Sequence, residues 1–121
     1  MKYMLLIYDN EQDWNNRTEA SRREIYAEYG KFSQDLKENG KYLAGSQLHP
    51  TAAATSVRVR DKKELVTDGP FAETKEQLGG YYLIEAKDLD EAIAIASRIP
   101  SARMGTIEVR PLVEAQASTT A

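Results

Sequence analysis

The tetrapeptide Asp68-Gly69-Pro70-Phe71 contains the strongest catalytic candidate of this sequence. A Gly-Pro turn fixes the backbone of the aspartate before it, as a general base or a clamp for a polar substrate requires. Asp68 is therefore a candidate catalytic residue, and Phe71 is a candidate substrate contact. Turn aspartates more often accept hydrogen bonds from the amides that follow them, in which case Asp68 shapes the turn and Phe71 fills a gap in the core.

The sequence contains one histidine, His49, which stands directly before Pro50. Histidine is the side chain that ordinarily gains and loses a proton near neutral pH. His49 is therefore the second catalytic candidate, as a proton shuttle. A His-Pro pair at the end of a strand is also common in surface turns, and that alternative stays open.

Two charges near the end of the chain, Glu108 and Arg110, alternate with Ile107 and Val109. If the apolar pair faces the helices, the charged pair faces the other side of the sheet. Desolvating either charge alone costs several kcal/mol, so the two must pair or bind a charged ligand. Arg110 can hold a substrate carboxylate through two hydrogen bonds. The alternative is an edge strand whose polar face meets water.

Three further residues are candidate substrate contacts. Glu76 belongs to a short charged run after the Asp-Gly-Pro-Phe turn and can line the rim of a cleft. Tyr29 and Tyr82 can supply hydroxyl groups or stack on a flat ligand. Tyrosines at helical and strand spacing more often belong to the core.

Composition excludes several classes of site. The chain has 121 residues and no cysteine, which excludes disulfides, thiolate-bound clusters and a thiol nucleophile. A single histidine excludes multi-histidine zinc and iron sites. The sequence has no P-loop, dinucleotide fingerprint, catalytic triad or EF-hand spacing. We therefore predict neither a metal nor a cofactor.

The charge balance and the apolar runs bear on partners and location. Sixteen basic and nineteen acidic side chains give a formal charge of −3, so neither nucleic acid nor an anionic membrane is an expected partner. The apolar run over 3–8 is too short for a signal peptide or a membrane span. By default we expect a cytoplasmic protein.

The helical segments are marked by their capping residues. After a polar loop over 9–17, Thr18 or Ser21 caps a first helix, which Asn39-Gly40 ends. Asp88 caps a second helix, which Pro100 ends. The buried stripe of the first helix is predicted to consist of Ile25, Tyr29, Phe32 and Leu36. That of the second is predicted to consist of Leu89, Ala92, Ile93, Ala96 and Ile99.

Four segments have strand character, and a hairpin lies between them. The strands are predicted over 2–8, 41–48, 81–85 and 106–112. The hairpin joins 55–60 to 64–67, with Val57 and Val59 facing inward. The pair Gly79-Gly80 before the third strand indicates a bulge or a close approach of two backbones.

The order of these elements predicts an α+β, ferredoxin-like βαββαβ domain over 1–113, with the hairpin inserted and a disordered tail over 114–121. Two helices cover one face of a four-stranded sheet. The first and third strands are apolar on both faces, which would leave Met4, Leu6, Tyr82 and Ile84, or the opposite set, in water. We therefore predict a homodimer packed sheet against sheet; the alternative is that the Trp14 loop or the hairpin covers the sheet.

The stretch 68–77, together with Gly79-Gly80-Tyr81-Tyr82, resembles the YCII-related family in its DGPF-type branch. Residues 88–92, 100, 105 and 107–112 support the resemblance. It implies a dimeric α/β barrel with a cleft between the two sheets, which the wider superfamily uses for small-molecule isomerases, lyases and monooxygenases. Genes of this branch often lie near those of alternative sigma factors.

Another branch of the family carries a histidine and an aspartate in the first helix as a proposed acid/base pair. Those places fall on Tyr29 and Glu38 here, so the helix histidine is absent.

Two main functions follow as hypotheses, beside a weaker third, a cofactor-free or haem-type monooxygenase by analogy with the superfamily. The first is small-molecule binding in the inter-sheet cleft with acid/base activity, in which Asp68 is the base, His49 the acid and Arg110 the anchor of an anionic substrate. The second is a non-catalytic, ligand-sensing or regulatory partner module linked to sigma-factor or stress transcription. Whether the protein is an enzyme stays open, as does the identity of its ligand.

Overall fold

The computed structural model of the chain describes residues 1–114, so the tail predicted to be disordered lies almost entirely outside it. The strands are β1 Lys2–Asp9, β2 Tyr42–Gln47, β3 Thr55–Arg60, β4 Lys63–Asp68, β5 Gln77–Glu85 and β6 Thr106–Pro111. The helices are α1 Glu11–Asn15, α2 Glu19–Glu38 and α3 Leu89–Ser97, with short 3-10 turns at Thr51–Ala53 and Pro100–Arg103.

The main sheet is antiparallel and has the strand order β2-β5-β1-β6. With the β3–β4 hairpin set aside, this is the order that a βαββαβ ferredoxin-like domain produces. The predicted fold class is confirmed.

One face of the sheet packs against the helices. Strand alternation turns Tyr3, Leu5 and Ile7 of β1 to this side, and the register places Leu5 opposite Tyr82 and Tyr3 opposite Ile84. The two central strands therefore put large apolar side chains side by side. The buried core consists of Tyr3, Leu5, Ile7, Phe32, Leu36, Tyr82, Ile84, Ala86, Ala92, Ile95, Ala96 and Ile99.

Helix α2 follows the predicted stripe and caps. The Thr18 hydroxyl accepts a hydrogen bond from the Ser21 amide, so Thr18 rather than Ser21 is the N-cap. At the other end the chain turns at Gly40, whose φ of +69° suits a residue without a Cβ. Ile25, Phe32 and Leu36 are buried as predicted.

The prediction of a loop over 9–17 is wrong, because the short helix α1 forms there. The Asn10 side chain accepts a hydrogen bond from the Asp13 amide and so caps the helix. The acidic residues Glu11 and Asp13 lie in the first turn, where the helix dipole favours negative charge. Asn10, a residue type that favours N-caps, was the local signal for this helix that the loop prediction did not use.

The predicted stripe of α3 is partly wrong. Ala92, Ala96 and Ile99 are buried, but Leu89 and Ile93 are 50% and 49% exposed. The helix is rotated so that Ile95, which the prediction omitted, contacts the core instead. Asp88 caps the helix through the Glu91 amide, as predicted.

The hairpin is a separate two-stranded sheet, and the inward orientation predicted for its valines is wrong in this chain. Val57 and Val59 are 60% and 61% exposed. Asp61 and Lys62 both have positive φ, so the turn needs only two residues and β4 begins one residue earlier than predicted.

The other face of the main sheet is not covered by helices, and we call it the open face. The register pairs Met4 with Leu83 and Leu6 with Tyr81, so Tyr81 and Leu83 accompany β1 on this side, not Tyr82 and Ile84. The open face consists of Met4, Leu6, Tyr8, Tyr81, Leu83, Glu108 and Arg110. Within residues 1–114, no helix is long and apolar enough to cross a bilayer.

Candidate functional site

A cavity of about 340 Å³ lies between α2 and the helix-facing side of the sheet, and we call it the helix–sheet cavity. Its size falls within the range of small-molecule sites. Ile25 and Tyr29 of α2 form one wall, and Ile7 and Tyr82 of the sheet form another. The segment that contains His49 also lines it.

Glycines allow close approaches of neighbouring atoms on the sheet side of the cavity, at positions where a Cβ would collide. A Cβ at Gly45 would lie 2.9 Å from Cδ1 of Tyr82, and one at Gly80 would lie 3.0 Å from the Ser46 carbonyl oxygen. The β1–β5 register shifts where Ile7 faces Gly80 and Tyr8 faces Leu78, which leaves Gly79 as the extra residue of a bulge. The bulge or close approach predicted at Gly79-Gly80 is confirmed.

A chain of hydrogen bonds connects three elements around the cavity. The Ser101 hydroxyl donates to Oδ2 of Asp9 at 3.1 Å, and it lies 2.6 Å from the Tyr29 hydroxyl. Because the single Ser101 proton goes to Asp9, the Tyr29 hydroxyl donates to Ser101. Ser101 is only 3% exposed, so the chain fixes the Asp9 carboxylate on the cavity wall.

The environment of Asp9 raises the pKa of its carboxyl group. Burial raises the pKa of the Asp9 carboxyl, and the negative charges of Glu76 and Glu11 raise it further; the Ser101 hydrogen bond and Arg17 act in the opposite direction. A carboxyl whose pKa is moved toward neutrality can both accept and return a proton. Burial also raises the pKa of the Tyr29 hydroxyl to about 12, so Tyr29 stays a donor at physiological pH.

The mouth of the cavity is formed by α1 and the segment before the first 3-10 turn. The Glu11 carboxylate accepts from the Thr51 amide at 2.8 Å and from the Thr51 hydroxyl at 2.9 Å. Trp14 of α1 contacts Tyr26 of α2 edge to face, with ring centroids 5.3 Å apart. These contacts place an aromatic wall beside His49.

Residues 1–116 match the family model of the YCII-related domain. This chain belongs to the YCII-related family. It is 37% identical over 114 residues to the uncharacterized protein R00369 of Rhizobium meliloti (strain 1021), covering 93% of this chain and 92% of that one. The resemblance that the sequence suggested is confirmed.

A solved structure has a similar fold. It is 5-chloro-2-hydroxyhydroquinone dehydrochlorinase (TftG) from Burkholderia phenoliruptrix AC1100, in complex with 2,5-dihydroxybenzoquinone. The similarity covers 95% of this chain and 96% of that chain, with a TM-score of 0.52 and 16% identity. At that identity the similarity establishes the fold.

Three of the residues predicted for the site of this YCII-related protein line the helix–sheet cavity. They are His49, Tyr29 and Tyr82. The Tyr82 hydroxyl lies 2.7 Å from the Ser33 hydroxyl, and burial raises the pKa of Tyr82. Tyr29 and Tyr82 thus belong to the core and also contribute to the cavity.

Asp68 and Phe71 do not line the cavity. Phe71 is 81% exposed, so the alternative in which it fills a core gap is wrong in this chain. Asp68 is exposed at the end of β4, and within residues 1–114 no amide donates a hydrogen bond to its carboxylate. The turn is held instead by the Gly69 amide, which donates to the Ala54 carbonyl oxygen at 2.7 Å.

Glu108 and Arg110 lie on the open face, as the alternation predicted, and they pair with each other. Arg110 lowers the pKa of Glu108, and Tyr8 donates a second hydrogen bond to Glu108 at 3.1 Å. β6 is also an edge strand of the sheet and the Arg110 side chain is exposed, so the edge-strand alternative holds together with mutual pairing, and neither charge needs a ligand. Arg110 is not available to anchor a substrate in the helix–sheet cavity, which lies on the other side of the sheet.

Glu76 stands outside the cavity lining but acts on it. Its carboxylate accepts a hydrogen bond from the Thr106 hydroxyl at 2.8 Å, and its charge raises the pKa of Asp9. Among the residues that the structure describes, no three histidine or acidic side chains cluster as metal ligands would.

Sequence reasoning missed Asp9, Ser101 and Trp14. Asp9 ends a strand and Ser101 follows Pro100, 92 positions along the chain, so only the fold brings them together. Trp14 carried a signal, because a lone tryptophan in a polar segment needs an apolar contact.

Proposed function

We propose that this YCII-related protein is a small-molecule enzyme that performs acid–base chemistry on a one-ring compound in the helix–sheet cavity. The observation that carries the proposal is the Asp9 carboxyl, which faces the cavity, is held by Ser101 and has a raised pKa. Such a carboxyl suits a general base better than the exposed Asp68 does.

The proposed roles follow from the positions of the groups. Asp9 accepts a proton from an O–H or an acidic C–H of the ligand, and the Ser101–Tyr29 chain keeps its Oδ2 oxygen oriented. His49 lines the same cavity and donates a proton to the oxygen on which negative charge develops. Both groups recover their starting protonation by exchange with water at the mouth.

The neighbouring structure supports the choice of a ring compound. That protein is a dehydrochlorinase in complex with 2,5-dihydroxybenzoquinone, so there the same fold accommodates a one-ring ligand. The helix–sheet cavity, at about 340 Å³, has room for one ring, because a cavity of roughly 150 Å³ already accepts benzene.

Proton exchange of 4-hydroxycyclohexanone in D2O, followed by ¹H NMR, tests the proposed chemistry, because this neutral ring carries an O–H donor and exchangeable α-protons. We expect the wild-type protein to accelerate loss of the α-proton signal, and Asp9→Asn to lose at least about 100-fold of that acceleration. Asp90→Asn is the matched control, because Asp90 is an exposed aspartate on α3. Chloride release from 5-chloro-2-hydroxyhydroquinone is a second assay. Equal rates for Asp9→Asn and wild type in both assays would overturn the catalytic role.

We also propose that two copies pack through their open faces. Met4, Leu6, Tyr81 and Leu83 form a partly exposed apolar patch there, which soluble monomers usually avoid. Leu6→Arg should convert a dimer to a monomer in light scattering, whereas Leu89→Arg, on the exposed side of α3, should not. A wild-type protein that is monomeric would contradict this part. The inter-sheet cleft expected from the sequence belongs to this proposal.

The second candidate function is a non-catalytic sensing or regulatory module. It is favoured by the hairpin, whose Val57 and Val66 lie opposite each other, are exposed and contribute nothing to the cavity. An isolated two-stranded hairpin is marginally stable in water, so a covering partner would stabilise it. Ligand binding without any acceleration of proton exchange would favour this function over the enzyme.

A further inference from the structure

We infer that the helix–sheet cavity selects uncharged or cationic ring compounds that carry a hydrogen-bond donor, and that it excludes carboxylates and phosphates. This inference rests on the proposed function and names the ligand class of the same site. It replaces the anionic substrate that the sequence suggested through Arg110.

The charges around the cavity are negative. Asp9 and Glu11 both line it, and the charge of Glu76 also acts on Asp9. Within residues 1–114, no lysine or arginine lines the cavity. An anionic ligand would therefore lose its hydration next to two carboxylates without gaining a cation, which costs several kcal/mol.

Arg17, the cation that acts on Asp9, does not line the cavity and makes other contacts. Its guanidinium donates to the Ser21 hydroxyl at 3.1 Å and contacts the sulfur of Met104 at 2.6 Å. It lowers the pKa of Asp9, but as the last of the contributions to that shift. Arg17 therefore moderates the negative charge of the site without presenting a donor to the ligand.

Most of the hydroxyl and carboxylate oxygens that line the cavity are already engaged within the protein. The hydroxyls of Tyr29 and Tyr82 are engaged with Ser101 and Ser33, and both oxygens of Glu11 are engaged with Thr51. In the described part of the chain, Oδ1 of Asp9 accepts no hydrogen bond. A ligand that meets this oxygen must bring an O–H or N–H group.

A glycine keeps that oxygen accessible. The Cβ of any other residue at position 79 would lie 3.4 Å from Oδ1 of Asp9. Trp14 and Tyr26 supply flat aromatic surface on the cavity wall. The combination of an aromatic wall and one open carboxylate oxygen matches a phenol-like or amine-bearing ring.

Three para-substituted phenols of similar size test the selectivity. They are 4-methylphenol, which is neutral, tyramine, which is a cation, and 4-hydroxybenzoate, which is an anion. Binding is measured by NMR titration at about pH 8. The reporters are the backbone amides of Gly79, Gly80 and Ser101, which line the cavity.

We expect 4-methylphenol and tyramine to shift these amides and to bind at least about tenfold more tightly than 4-hydroxybenzoate. Asp9→Asn removes one of the two negative charges, so the preference for 4-methylphenol over 4-hydroxybenzoate should fall by at least about threefold. The control Asp90→Asn should leave the preference unchanged.

The other outcomes separate this inference from the proposed function. Equal or tighter binding of 4-hydroxybenzoate at the same amides overturns the charge selectivity and leaves ligand binding in the cavity intact. The absence of shifts at these amides with all three probes overturns both. Selective binding without accelerated exchange of 4-hydroxycyclohexanone supports the selectivity and contradicts the catalytic role.

Discussion

The Ser101 hydroxyl lies 3.1 Å from Oδ2 of Asp9 and joins the turn after α3 to the end of β1. The Ser101 hydroxyl oxygen also accepts a hydrogen bond from the Tyr29 hydroxyl of α2, so one buried hydroxyl connects three elements that are distant in sequence. Ser101 is the one polar residue among those described that is buried. Its role is to fix Asp9 relative to the cavity.

Replacement of this hydroxyl tests that role. Ser101→Ala leaves the Tyr29 hydroxyl without its acceptor, and we expect a loss of about 1–3 kcal/mol in the free energy of unfolding. Because the Ser101 hydrogen bond lowers the pKa of Asp9, the variant should also raise that pKa further. Urea unfolding and NMR titration of the Asp9 carboxyl measure the two effects.

The matched control for this variant is Ser97→Ala. The Ser97 hydroxyl donates only to the Ala94 carbonyl oxygen of its own helix and is exposed. A change within about 0.5 kcal/mol is expected there. If Ser101→Ala changed the free energy of unfolding as little as Ser97→Ala and did not change the pKa of Asp9, the hydrogen-bond chain would have no organising role.

Asp9 should lower stability at neutral pH. Its pKa is raised in the folded state, so the folded state binds more protons than the unfolded state between the two pKa values. Stability is therefore greatest at low pH and falls as the pH rises through that interval. Asp9→Asn keeps an acceptor for Ser101 and removes the charge, so it should raise the free energy of unfolding at pH 7 by up to about 1 kcal/mol. Denaturant unfolding at about pH 4 and pH 7 checks the sign, and a destabilised variant at pH 7 would contradict it.

The raised pKa of Tyr29 predicts a second pH dependence of stability, at alkaline pH. Its pKa rises from 10.0 to about 12 on folding, so its contribution is fully present below pH 10 and is lost as the pH rises toward 12. Over that range wild type should lose about 1–2 kcal/mol more stability than Tyr29→Phe, allowing for partial exposure of the ring. Thermal unfolding of both proteins between about pH 9 and pH 11.5 measures the difference, and parallel curves would show that burial does not perturb Tyr29.

The fold was predictable because its signals are local. The caps Thr18 and Asp88, the terminator Gly40 and the alternation in β1 each act within a few residues, and their order along the chain specifies a ferredoxin-like sheet. Errors arose where packing selects between faces. The rotation of α3 depends on the core it meets, so Ile95 is buried and Ile93 is not.

The site was predictable only in part. Tyr29, Tyr82 and His49 were found because their side-chain chemistry is visible in the sequence. The raised pKa of Asp9 comes from burial and from neighbours far along the chain, and its position at a strand end carries no local mark. Asp68 was the leading catalytic candidate because it precedes a Gly-Pro turn. Such a turn specifies backbone geometry and does not create a pocket.

Gly79 offers a direct way to close the cavity without unfolding the protein. A Cβ at this position would make an ordinary contact of 3.4 Å with Oδ1 of Asp9, so Gly79→Ala should fold and change stability by no more than about 1 kcal/mol. The methyl group would cover the one open oxygen of Asp9, and we expect the affinity for 4-methylphenol to fall at least about fivefold.

Gly30→Ala is the control: no atom lies within 4 Å of its Cβ position on α2, so it should stabilise the helix by about 0.5–1 kcal/mol and leave the affinity unchanged. Equal affinities in the two variants would mean that the ligand does not approach Asp9 past Gly79.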